Sequence, residues 1–303
     1  MAINLNKLIY PLFVKKGRYL REEILSMPGV YRVSPDMLLD EALSLQRLGI
    51  RQVLLFGVPD KKDWQGKSSY ADKNIVAESI KLLKKSFPGI TVIADVCLCA
   101  YTSHGHCGVI KDKKKGIDSR LTLNALSRIA LSYAARGADY VAPSAMAKGQ
   151  VRAIRKALDK NGFRKTKILG YSAKFASSFY GPFRDIAKSS PRFGDRRAYQ
   201  LDYTDRKTAL QRIEDDIKQG ADIVMVKPAL GYLDIIKEAR RKFKWPLAAY
   251  NVSGEYAMVK NGAKNHAWLE KDIVFEIINS INRAGADFII TYHAKDIAKW
   301  VNN

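Results

Sequence analysis

Cysteine and histidine are scarce in this chain, three of one and four of the other in 303 residues. The cysteines are odd in number and all lie between Cys97 and Cys107, which excludes a disulfide framework. Acidic residues are also in short supply: 30 Asp and Glu face 52 Lys and Arg, a formal charge of +22 at pH 7. No apolar run approaches the roughly 20 residues of a membrane span. No basic stretch followed by a long apolar one opens the chain, so a cytoplasmic location is expected. No glycine-rich G-x-G-x-x-G follows a strand-like run, which argues against a dinucleotide-binding open sheet. Nor is there a basic patch interleaved with aromatics, so no nucleic-acid partner is expected. The excess charge reads as a lysine-rich solvated surface, with its one dense run, Lys111 and Lys113-Lys114-Lys115, in a loop-like stretch.

What is present is alternation. Short apolar runs at Leu8–Val14, Val53–Val58, Thr91–Cys97, Ala138–Pro143, Lys167–Lys174, Ala221–Pro228, Pro246–Val252 and Ala286–Tyr292 read as strands. Helical patterns fall between them at Pro35–Leu48, Ile75–Leu83, Leu121–Arg136 and Val151–Leu158, and Lys295–Val301 closes the chain. Eight such units in one chain of this length predict an α/β fold, a TIM (β/α)8 barrel forming a single domain over residues 1–303. Gly-Ala-Asp recurs at Gly137, Gly220 and Gly285, each copy stopping a helix and starting a strand.

In such a barrel the chemistry sits at the carboxyl ends of the strands. Those ends carry Asp95 and Cys97, Ser144, Lys174, Lys227, Ser253 and Tyr292, whereas the strand bodies are apolar. A lysine ending a buried strand loses hydration, so its pKa falls, and a second lysine on the same rim lowers it further. The neutral amine is a nucleophile toward ketones and aldehydes. The alternative for either lysine alone is a side chain that snorkels into water. Cys97, Cys99 and Cys107 form a soft ligand set suited to zinc with one open position; His104 or His106 would complete a closed site, and three reduced buried cysteines are the metal-free alternative. Residues 175–200 make a long loop rich in Ser, Gly, Pro and aromatics, the profile of a lid. Its Arg184, Arg196 and Arg197 are candidates to clamp a carboxylate, or ordinary surface arginines.

Four stretches together carry a resemblance: Asp95-Val-Cys-Leu-Cys-Ala-Tyr-Thr-Ser-His-Gly-His-Cys-Gly108, Ala176-Ser-Ser-Phe-Tyr-Gly-Pro-Phe-Arg-Asp185, Met225-Val-Lys-Pro-Ala-Leu230 and Val252-Ser-Gly-Glu-Tyr-Ala-Met258. In order and in detail they resemble the porphobilinogen synthase (δ-aminolevulinic acid dehydratase) family, from about Leu8 to Trp300. The resemblance implies condensation of two molecules of δ-aminolevulinic acid to porphobilinogen in tetrapyrrole synthesis. It implies that Lys227 forms a Schiff base with the first substrate, whose carboxylate meets Ser253 and Tyr292. Lys174 would hold or activate the second, whose carboxylate meets Arg184, Arg196 and Gln200. The cysteine-bound zinc would act on that second substrate, Asp95 would move protons, and Ser144 would line the site.

Three departures from the family pattern stand out. Pro143-Ser-Ala-Met-Ala-Lys-Gly-Gln150 replaces Pro-Ser-Asp-Met-Met-Asp-Gly-Arg, so Ala145 and Lys148 stand for carboxylates and Gln150 for arginine. The N-terminal arm is short, which favours a homo-oligomeric dimer or hexamer over an octamer. Gln219 replaces a glutamate before Gly-Ala-Asp, so no activation by magnesium is expected. Two rival readings remain: a family member that binds ligand with little catalysis, and a Schiff-base aldolase acting on another keto-acid.

Overall fold

The structure is a computed structural model and describes residues 3–112 and 116–302; the Lys113-Lys114-Lys115 run lies outside them. The chain begins with β1 (Leu8–Lys15), a hairpin of β2 (Arg21–Glu23) and β3 (Tyr31–Val33), α1 (Pro35–Arg47) and β4 (Gln52–Val58). It continues through α2 (Ile75–Ser86), β5 (Thr91–Val96), α3 (Ser119–Ala134), β6 (Tyr140–Pro143), α4 (Gln150–Lys160) and β7 (Lys167–Lys174). Then come α5 (Gly181–Ile186), α6 (Arg206–Lys218), β8 (Ile223–Lys227), α7 (Leu233–Lys242) and β9 (Leu247–Asn251). α8 (Ser253–Lys264), α9 (Glu270–Ala284), β10 (Phe288–Thr291) and α10 (Ala294–Asn302) complete it.

Eight strands, β1 and β4 to β10, pair in parallel in chain order, and β10 pairs back to β1 to close the barrel. The predicted fold class is therefore the observed one. The β2–β3 hairpin has no counterpart in the sequence reading. Leu8 and Ile9 of β1 pair with β10, whereas Phe13 and Val14, further along, pair with β3. β1 thus outruns β10 at the mouth, and the hairpin takes up the edge left there.

Apolar residues divide into two layers by strand parity. Ile9, Leu54, Ile93, Ala142, Leu169, Met225, Ala248 and Ile290 face the barrel interior. Their neighbours Leu8, Leu55, Val92, Val141, Ile168, Val224, Ala249 and Ile289 pack outward against the helices. Each fully buried Val, Leu, Ile or Met side chain among them contributes about 1.5–3 kcal/mol of burial free energy.

The Gly-Ala-Asp repeat has a structural cause. Gly137, Gly220 and Gly285 hold φ of 92°, 98° and 117°, the left-handed turn that ends a helix at no steric cost to glycine. Each aspartate then locks the base of its strand to the strand before. Asp222 N–H donates to the Ile168 carbonyl (2.9 Å) and its carboxylate accepts from the Ile168 N–H (2.8 Å). Asp139 does the same with Val92, and Asp287 with Leu247. The repeat therefore sets register at the base of three alternate strand pairs. Replacing Asp222 with Ala leaves the Ile168 N–H without its acceptor. It is expected to cost about 1–3 kcal/mol, read as a lower urea midpoint with an unchanged slope.

Candidate active site

The interior strand positions converge at the carboxyl end on two lysines. Lys174 ends β7, Lys227 ends β8, and the two are direct neighbours across the pair. Both are buried, each 6% exposed. Lys227 arrives by simple alternation after Ile223 and Met225. Lys174 does not. Between Gly170 and Ala173 the register shifts, three steps on β7 matching two on β8. Before the shift Leu169 and Tyr171 are interior; after it Ala173 and Phe175 belong to the outer layer. The extra residue reverses the parity of β7 and turns Lys174 inward, the use to which bulges beside active sites are put.

Aromatic rings wall in the Lys227 amine. Its Nζ lies 4.0 Å from the ring centre of Tyr250, 5.1 Å from Tyr171, 5.2 Å from Tyr180 and 5.4 Å from Phe183. Burial pushes its pKa well below the usual lysine range, and the charge of Lys174 pushes the same way; Asp95, Cys99 and Cys97 oppose them. Lys174 Nζ donates to the Ser144 carbonyl at 2.6 Å and sits 5.5 Å from the Tyr171 ring. Asp95 is held up to about 6 by burial, against the Ser144 hydroxyl and the Lys174 charge. Tyr292 O–H pairs with Tyr250 O–H at 3.1 Å, which links it to the Lys227 wall. The sequence reading missed Tyr171, Tyr180, Tyr250 and Phe183. The only signal for Tyr171 and Tyr250 was their shared parity with interior residues.

The three cysteines meet as expected. Their sulfurs lie within 4.8 Å of one another, Cys97 and Cys99 at 3.5 Å, all buried and none in a disulfide. The Cys97 and Cys99 thiols hydrogen-bond to Cys107 and pull its pKa well below the usual thiol range, while the same contacts raise Cys97. Three sulfurs this close, with no oxygen donor among them, fit a soft metal ion. Neither His104 nor His106, the alternative fourth ligands, joins the cysteine group. His104 Nε2 meets the Trp64 carbonyl at 3.1 Å and its Nδ1 accepts the His106 N–H; His106 bridges Tyr199 O–H (3.2 Å) and the Phe193 carbonyl (2.9 Å). Those bonds use both ring nitrogens of each histidine to brace the surrounding loops. A second trio, Glu270, His293 and Asp296, is also within 4.8 Å, but Lys260 donates to both of its carboxylates and already supplies the cation there.

Residues 175–200 close over this mouth, and they are more ordered than the loop expected from sequence. They form a short turn at Ser178–Tyr180 and the helix α5. Phe183 packs on Phe56 (5.1 Å) and Phe13 (5.8 Å) above Lys227. Ser253 Oγ accepts the Phe183 N–H at 3.1 Å and donates to the Phe179 carbonyl at 3.3 Å. Gly254 makes this approach feasible, because a Cβ there would meet the Phe179 carbonyl oxygen at 2.5 Å.

From the same segment Arg184 donates to the Ser177 carbonyl (3.1 Å), and Arg196 to the Gly105 carbonyl (2.9 Å) and to that of Ser189. Arg197 is exposed beside Asp195 and takes no part. Among the described residues, Nε of Arg184, Nε of Arg196 and both amide atoms of Gln200 are buried without a hydrogen-bond partner. Burial and the charge of Arg196 both lower the Arg184 pKa. Buried donors left unmet cost about 1–3 kcal/mol each, and guanidinium donors of this kind suit an anionic oxygen.

The Lys227 wall carries a stability cost with a definite pH dependence. The unfolded chain binds the Lys227 proton up to about pH 10.4, whereas the folded chain releases it earlier. Stability therefore rises with pH across that window and is lost as pH falls. Lys227→Met is expected to be more stable than the parent at pH 7. The gain should shrink toward pH 10, as measured by denaturant melts at several pH values.

A family model described as delta-aminolevulinic acid dehydratase matches residues 1–300. Delta-aminolevulinic acid dehydratase of Bacillus subtilis (strain 168) is 50% identical over 293 residues, 97% of this chain and 90% of the relative. That of Methanothermus sociabilis is 52% identical over 298 residues, 98% of this chain and 92% of the relative. A crystal structure of delta-aminolevulinic acid dehydratase (porphobilinogen synthase) from Toxoplasma gondii ME49, in complex with the reaction product porphobilinogen, matches with a TM-score of 0.96 at 43% identity; the match covers 98% of this chain and 85% of that one. On fold, site and sequence together, the chain belongs to the delta-aminolevulinic acid dehydratase family.

Proposed function

We propose that this chain condenses two molecules of δ-aminolevulinic acid to porphobilinogen, releasing two molecules of water, as a step of tetrapyrrole synthesis. The observation that carries the reading is the pair of register-matched buried lysines beside three converging thiols at one barrel mouth. The neutral Lys227 amine attacks the ketone of the first substrate, and loss of water leaves a Schiff base on Nζ. Ser253 and Tyr292 take that substrate's carboxylate, with Ser253 exchanging its present bonds to the 175–200 segment. Lys174, steadied by the Ser144 carbonyl, holds the second substrate, and Arg184, Arg196 and Gln200 take its carboxylate. Asp95, with a pKa raised to about 6, is placed in the range where a carboxyl both gives and accepts protons near neutrality. Cys97, Cys99 and Cys107 would hold zinc, which would supply a Lewis acid for the second substrate.

Residues 175–200 act as a lid on a single barrel domain, since Phe183 must move for a substrate to reach Lys227. No described helix is long and apolar enough to cross a membrane, and a cytoplasmic location belongs to the same reading. So does a homo-oligomer, for which the exposed Tyr19 and Leu25 near the hairpin offer apolar surface.

Incubation with δ-aminolevulinic acid and zinc is expected to yield a pyrrole chromophore, to lose it with a chelator and to regain it with zinc, while added magnesium changes nothing. Lys227→Ala should abolish the product. Borohydride trapping of substrate without pyrrole would favour a ligand-binding protein instead, and trapping with another ketone alone would favour an aldolase.

A further inference from the structure

A separate cavity of about 730 Å³ opens between the ends of β1 and β4 and the far end of the 175–200 segment. Five cations line it, Lys15, Arg32, Lys62, Lys188 and Arg192, against the carboxylates of Glu22 and Asp60. Glu22 is shared by Lys15 (2.9 Å) and Arg32 (3.6 Å). The floor grips the segment through carbonyls alone: Lys62 Nζ donates to Ala187 (2.9 Å) and Lys188 (2.5 Å), and Arg32 Nε to Ile186 (3.4 Å). Those bonds use donors without neutralising charge. Among the described residues, Lys62, Lys188 and Arg192 form no ion pair with a carboxylate. Burial depresses the Lys62 pKa, and the charges of Lys188 and Arg192 add to this against an opposing pull from Cys99. The floor cation and the two segment cations therefore repel each other across the gap.

We infer that this cavity is a binding site for a compact multivalent oxyanion, a phosphate or a small polycarboxylate, which bridges Lys62 and Arg32 on the floor to Lys188 and Arg192 on the segment and holds the segment closed. The volume is that of a small-molecule pocket, too small for a polymer chain. A concave wall with an excess of cations concentrates anions, and charge-assisted bonds from two elements tie them together. The proposed substrate is a poor occupant, because its own ammonium meets the same cations. The site is distinct from the Arg184, Arg196 and Gln200 group and does not depend on the reaction proposed above.

Trypsin reads the segment directly, since it cuts after Lys188 and Arg192. On the metal-loaded protein, inorganic phosphate at millimolar concentration is expected to slow both cuts several-fold, whereas chloride at matched ionic strength does not. Succinate in a parallel arm distinguishes the source: protection by phosphate alone assigns a phosphate ligand, and protection by succinate alone a polycarboxylate. Lys62→Ala should remove the protection. Lys188→Gln, at an exposed side chain whose carbonyl still meets Lys62, should weaken the protecting anion about tenfold, followed at the Arg192 cut. Equal protection by chloride, no protection by phosphate or succinate, or protection unchanged in both variants would overturn the proposal.

Discussion

An amine enclosed by aromatic rings is the constraint around which this molecule is arranged. Lys227 Nζ has four rings within 5.4 Å and a second lysine as its strand neighbour. Water would hydrate an ammonium well; this wall does not, so the charged form is disfavoured at the place where a nucleophile is useful. The arrangement trades stability for reactivity, as active sites commonly do. The rest of the barrel compensates with two continuous apolar layers and with aspartate locks at its base.

Strand parity does the positioning. Asp95, Ser144, Lys227 and Tyr292 follow interior residues at a spacing of two, so they reach the mouth pointing inward without special devices. Lys174 needs the irregularity between Gly170 and Ala173. A strictly regular β7 would send it into the helix layer, where it could neither meet the Ser144 carbonyl nor add its charge to the field at Lys227. The bulge is thus as much a part of the site as the lysine itself.

Much of this was legible in the sequence, because the underlying signals are local. Apolar runs bounded by turn residues marked all eight barrel strands, and Gly-Ala-Asp marked three strand starts. The cluster at Cys97, Cys99 and Cys107 announced its own convergence by spacing. What escaped was decided by contacts far apart in the chain. The histidines stood as alternative fourth ligands from proximity, yet Trp64, Phe193 and Tyr199, remote in sequence, engage their ring nitrogens. The aspartate of each repeat pairs with a strand roughly 40 to 55 residues earlier, which no local pattern encodes. The β2 and β3 strands are three residues each, too short for alternation to show. The helix α5 opens with Gly181-Pro182, which reads as a breaker in sequence but serves as a helix start.

The most direct measurement is of the Lys227 charge itself. Carbon-13 labelling at lysine Cε, with NMR titration, follows each amine separately. One resonance, absent from a Lys227→Met variant, is predicted to titrate well below all solvent-exposed lysines and to move upward when Lys174 is replaced by Met. If the Lys227 resonance titrates with the exposed lysines and ignores Lys174, the low-dielectric amine at the centre of this account does not exist.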